Sequence, residues 1–110
     1  MIQLMTNWSM EALRRCLDQG KLVWRKHTLE RMIERDIARS EVVAALRNGE
    51  IVEHYEGDRP FPSALIHVPS GKPLHVVAAL DEARGECHVI TVYRPDLAHF
   101  EPDLKTRRKL

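Results

Sequence analysis

Two stretches of this 110-residue chain carry side chains able to move a proton or hold an anion. In the first, His27, Arg31 and Arg35 recur at steps of four. At about 100° per residue a helix would stack them on one side, with Leu29, Met32 and Ile33 turned to the other. Two arginines at that spacing repel by a few tenths of a kcal/mol. A phosphate held between their guanidinium forks would turn that cost into a gain. The competing reading pairs Arg31 with Glu34 and Arg35 with an acidic residue from the sheet. The second stretch, residues 73–80, alternates so that His75, Val77 and Ala79 share one strand face and Leu74, Val76, Ala78 and Leu80 the other. Antiparallel pairing with the next strand brings Tyr93 and Arg94 towards His75. A histidine, a tyrosine and an arginine at one end of a sheet can supply a general acid or base and steady an oxyanion. The competing reading is a half-buried histidine bonded to backbone, with a tyrosine covering the sheet edge.

Other chemistries find little support. His54, His67, His88 and His99 fall into no tight ligand spacing, and there is no HExxH and no Cys/His set. A zinc or iron site from His27, His75 and a carboxylate is the arrangement left open; the expectation is no metal. With no phosphate-cradling glycine loop, nucleotide fingerprint or nucleophile elbow, no cofactor is expected either. Residues 29–48 could form a helix-turn-helix, but the second helix would offer Glu41, Ala44, Arg47 and Asn48, poor material for reading DNA.

The elements that must position these residues follow from periodicity. Met10, Leu13 and Cys16/Leu17 have helical spacing, with Ser9 placed to cap and Gly20 to stop. Residues 21–25 can be extended. A helix follows over 28–36 with the core stripe Leu29, Met32, Ile33, and another from Ser40 carries Val42, Val43, Ala45 and Leu46. Asn48-Gly49 ends it with a residue suited to the left-handed conformation. Residues 50–55, 64–68, 74–80 and 87–93 read as strands, rich in β-branched or large apolar residues. The breaks at 57–60, 69–73 and 81–85 are turn chemistry too short for a crossover helix. The expectation is an α+β fold: two to three N-terminal helices packed on a four-stranded antiparallel meander sheet. The chain reads as a single domain over 1–110, with a core over about 9–95 and a polar, partly irregular tail over 96–110.

A hydrophobic share of 44% and a charged share of 30% are too apolar for a disordered chain. No apolar run approaches the ~20 residues a membrane helix needs. Met1-Ile2-Gln3-Leu4-Met5 lacks the basic flank and long apolar stretch of a signal peptide. Cys16 and Cys87 stand far apart, which fits buried free thiols and a cytoplasmic setting better than a disulfide framework. The net charge is only +1, but it is uneven. Residues 14–39 hold eight basic against four acidic side chains, residues 40–60 two against five, and 105–109 is basic again. Such polarity can steer a phosphate-bearing partner at a near-zero total.

The segments His27-Thr28-x-x-Arg31-Met32-x-x-Arg35-x-Ile37, Glu41-Val42-x-x-Ala45-Leu46-x-Asn48-Gly49-Glu50, Pro73-Leu74-His75-Val76-Val77 and Ile90-Thr91-Val92-Tyr93-Arg94-Pro95 resemble, in order, the family called domain of unknown function 4258. That family is distantly similar to the RelE/ParE/BrnT group of bacterial toxins, which implies a RelE-like fold. The resemblance further implies a metal-independent endoribonuclease toxin of a toxin–antitoxin pair, or an inactive relative, with RNA and a cognate antitoxin as partners. In that case His27 or His75 would deprotonate a ribose 2′-hydroxyl, Tyr93 or the other histidine would protonate the leaving oxygen, and Arg31, Arg35 and Arg94 would bind the phosphate. The alternative is a non-catalytic protein- or nucleic-acid-binding module.

Overall fold

The computed structural model describes residues 8–68 and 72–109. The N-terminal Met1-Ile2-Gln3-Leu4-Met5, part of the 69–73 turn and the last residue of the tail lie outside the described residues. Helix α1 (Met10–Asp18) is capped as its sequence requires: the Ser9 side chain accepts from the Ala12 amide at 3.1 Å, and Gly20 leaves it in the left-handed conformation at φ 69°. The extended segment that follows is a true strand, β1 (Leu22–Trp24). Helix α2 (Lys26–Glu34) starts two residues earlier than its periodicity suggests, and Asp36 turns the chain at φ 56°. Helix α3 (Arg39–Asn48) buries Val42, Ala45 and Leu46.

Four strands complete the chain: β2 (Glu50–Tyr55), β3 (Ser63–Val68), β4 (Leu74–Asp81) and β5 (Glu86–Tyr93). These pair antiparallel in sequence order, the expected meander. The sheet nevertheless has five strands and is mixed, in the order β1-β5-β4-β3-β2, because β1 pairs parallel with β5 along one edge. The chain therefore enters at one edge, crosses one face as α2 and α3, and re-enters at the other. A three-residue edge strand with no alternation of its own carries too little pattern to announce that pairing.

The helices cover one sheet face. Leu13, Cys16, Met32, Val42, Ala45 and Leu46 pack there against Ala64, Ile66, Leu74, Val76, Ala78, Leu80, Cys87, Val89 and Val92. Both cysteines are buried free thiols, and burial pushes Cys87 up to about 12. Two local expectations fail. Ile33 is 80% exposed and is not part of the core stripe, because α2 meets the sheet through Thr28 and Met32. Gly49 has φ −79° and is not left-handed; glycine is needed there for space, since a Cβ would lie 2.5 Å from the Ala45 carbonyl oxygen and 2.6 Å from Ile66 Cγ2.

The opposite face carries Leu65, His67, His75, Ala79 and Tyr93 by alternation with the core positions. Residues 96–109, expected as a polar tail outside the core, fold back over one end of it. Phe100, 2% exposed, bridges in antiparallel fashion to Arg107, and the segment closes on itself through Glu101 N–H to Thr106 O (2.7 Å) and Arg108 N–H to His99 O (2.9 Å).

Candidate functional site

His75 is the hub of the covered end. It is fully buried, which the alternation of β4 permits because Phe100 lies edge-on against its ring at 4.7 Å. Its Nε2 lies 2.8 Å from the Leu104 carbonyl oxygen. A carbonyl only accepts, so Nε2 carries the proton and Nδ1 is the bare nitrogen. Nδ1 accordingly accepts from the Tyr93 hydroxyl at 3.1 Å. Tyr93 is the direct cross-strand partner of His75, so the pairing of β4 with β5 sets this contact. On the other side, β3 places His67 directly opposite His75, and His67 Nδ1 lies 3.1 Å from His75 Nε2, where it shares the same proton.

Burial holds both imidazoles below their ordinary pKa, so the network rests in its neutral form. Leu104 pulls His75 back upward by accepting from Nε2, which burial outweighs. Burial likewise pushes the Tyr93 phenol up, which keeps its proton in place for donation. At the rim, Arg107 donates from Nε to both carboxylate oxygens of Glu53 (3.2 and 3.1 Å) and from Nη2 to the Tyr55 hydroxyl (3.3 Å), and it stacks over Phe100 at 5.1 Å. The Tyr55 hydroxyl also donates to Glu53. The face thus grades from a sealed histidine pair through Tyr93 to a half-exposed guanidinium.

Of the residues singled out from sequence, the structure brings His75 and Tyr93 together and leaves the others elsewhere. His27 is exposed on α2, on the helical side of the sheet, where the Thr28 hydroxyl donates to the carbonyls of Val89 (3.3 Å) and Ile90 (2.8 Å). His27 therefore lies on the helical side of the sheet and His75 on the opposite face. Arg31 pairs with Glu34 at 3.2 Å, the competing reading of its spacing. Arg35 donates to the Val92 carbonyl at 2.7 Å, an end-on tie to β5 in place of the acidic partner considered from sequence. Arg94 grips Glu41 of α3 with Nη2 at 2.8 and 3.1 Å, and that hydrogen bond holds the Glu41 carboxyl below its usual range. Each of these three guanidinium groups thus has a partner within the protein.

His67 and Arg107 escaped the sequence reading. A signal for His67 existed: it and His75 are equidistant from residue 71 in the turn, so a symmetric hairpin sets them opposite one another. Arg107 had none, since it joins the site only when the chain folds back. No helix among the described residues is long and apolar enough to cross a membrane.

The family model described as Domain of unknown function (DUF4258) matches residues 24–94, and the chain belongs to that family. The match holds His67, His75 and Tyr93; the covering residues Phe100, Leu104 and Arg107 lie beyond it. Comparison with curated proteins and with solved structures gave no match.

Proposed function

We propose that this DUF4258 domain cleaves RNA by transfer within the chain of the nucleic acid, with Tyr93 and His75 as its proton relay and Arg107 as its anion holder. The observation that carries the reading is the Tyr93 O–H···Nδ1 His75 bond, backed by an Nε2–H fixed on Leu104 O. As the 2′-hydroxyl attacks the adjacent phosphorus, Tyr93 takes its proton while passing its own to His75 Nδ1. The 2′-O–P bond forms and the P–O5′ bond breaks, and the proton returns from His75 through Tyr93 to the leaving 5′ oxygen. Charge gathering on the phosphoryl oxygens falls to Arg107, which Glu53 and Tyr55 hold in place. His27, Arg31, Arg35 and Arg94 have no part in this relay. The toxin setting and its antitoxin rest on the resemblance to the RelE/ParE/BrnT group; a neighbouring frame encoding a small DNA-binding protein would support them.

A second reading, RNA or protein binding without cleavage, is favoured by one observation: His67 and His75 are 2% and 0% exposed beneath Phe100 and the 96–109 segment. Under it the relay only anchors that segment. Purified protein incubated with a mixed RNA pool separates the two. The catalytic reading expects cleavage that falls at least about a hundredfold in Tyr93→Phe and His75→Gln, in line with the usual worth of an acid–base group, with the fold retained by circular dichroism. Saturable RNA binding with no cleavage by the wild type establishes the second reading and removes the first.

A further inference from the structure

The far end of the same sheet face carries a different constellation. Asp81 and Glu86 are direct cross-strand partners at the closed end of the β4–β5 hairpin, and His88 follows Glu86 by two residues on the same face. One ligand atom from each lies within 4.8 Å of the others. Two carboxylates set opposite one another on a sheet repel. The guanidinium near them, Arg84, stands 3.9 Å from Asp81 Oδ2 on a side chain 77% exposed. The Asp81 side chain is itself only 9% exposed, with its other oxygen accepting from the Arg84 amide at 3.2 Å. His88 Nε2 is sealed from solvent, makes no hydrogen bond, and sits 3.4 Å from Glu86 Oε1. Phe61 packs against the His88 ring at 5.3 Å and so limits where that nitrogen can turn.

A buried nitrogen without a hydrogen bond and two carboxylates on paired positions are each costly alone. A single cation satisfies all three. Ligands 2.0–2.1 Å from a tetrahedral ion stand about 3.4 Å apart, the separation already present between His88 Nε2 and Glu86 Oε1. The 4.8 Å limit leaves at most about 1.4 Å for the remaining pairs to close on that geometry, within reach of carboxylate rotation.

We propose that Asp81, Glu86 and His88 form a divalent transition-metal site of the zinc class, with three protein ligands and one position open to water. The imidazole selects against magnesium and calcium, which take oxygen ligands. The site lies six residues along β4 from His75, about 20 Å away at 3.3 Å per residue, and stands independently of the RNA-cleaving relay. Bound metal ties the hairpin end together and offers its open position to an exchangeable ligand.

Protein stripped with chelator and titrated with Co2+ tests this through the visible absorption of the ion. The expected result is one equivalent bound, displaced by Zn2+ and untouched by millimolar Mg2+ or Ca2+. His88→Ala is expected to weaken binding by more than the roughly 10–100-fold that loss of an outer-shell partner costs, and Glu86→Gln to weaken it too, both with wild-type circular dichroism. The more exposed Glu86 serves as the check should Asp81→Asn fail to fold. No bound cobalt in the wild type, binding unchanged in His88→Ala, or displacement by Mg2+ as readily as by Zn2+ would each overturn the assignment.

Discussion

Acidification should unfold this domain through His67 and His75 in a narrow window whose sign is fixed by burial. Both imidazoles titrate below their ordinary value in the folded chain, because burial penalises the cation. In the unfolded chain they titrate near 6.5. Between the two values the unfolded state binds more protons, so stability is complete above about pH 6.5 and falls as the pH drops towards the folded values. Each proton is worth about 1.4 kcal/mol per pH unit, so the pair gives a slope of up to about 2.7 kcal/mol per unit. The groups facing His75 oppose one another: His67 and Arg107 lower it further, while Glu53 of β2 and the Leu104 carbonyl raise it. Tyr93, the remaining neighbour, keeps its proton throughout this range. Urea unfolding at half-unit steps from pH 8 to 5 reads the slope, and His75→Gln and His67→Asn should each remove one proton from it. Titrations elsewhere in the chain cancel in the difference. A wild-type slope equal to that of either variant, or a stability maximum below pH 6, would refute the reasoning.

Gly49→Ala should lower stability by about 1–3 kcal/mol, the usual cost of overpacking, since its Cβ would meet the Ala45 carbonyl and Ile66; an unchanged melting temperature contradicts this. Thr28→Val should cost about 1–2 kcal/mol, because the hydroxyl donates to the carbonyls of Val89 and Ile90 where β5 shifts register; denaturant midpoints check it. Phe100→Ala should cost about 3 kcal/mol and let water reach His75, raising its pKa towards 6.5 in an NMR titration. Arg31→Ala and Arg94→Ala should leave any RNA cleavage within about twofold of wild type, a change under half a kcal/mol in the barrier, because both side chains pair with the helix residues Glu34 and Glu41, away from the Tyr93–His75 face; a large loss in either would move the site to the other face.

The elements that sequence revealed are those with strong local grammar. β2 to β5 alternate or run apolar between turn residues, and Ser9 and Gly20 bracket α1 with cap chemistry. β1 was visible only as an extended stretch, because its pairing with β5 joins residues more than sixty positions apart. Ile33 has the spacing of a core residue, yet which flank of α2 meets the sheet is decided by tertiary packing, through the Thr28 bonds to β5. The site was half legible. Antiparallel pairing placed Tyr93 beside His75. The helical arginines read as an anion cradle because periodicity reports a shared side without reporting partners, and those partners are Glu34 and the Val92 carbonyl. Phe100 is a lone aromatic in a polar run, so nothing local marks 96–109 as the cover of the sheet.

End-group analysis of a defined RNA oligonucleotide is the most direct trial of the Tyr93–His75 relay. The relay requires fragments ending in a 2′,3′-cyclic phosphate and a 5′-hydroxyl, no cut where the scissile nucleotide is 2′-deoxy, and formation of both products at least about a hundredfold slower in Tyr93→Phe. Intact oligonucleotide after prolonged incubation with wild-type protein, or the same products at the same rate from Tyr93→Phe, would contradict it.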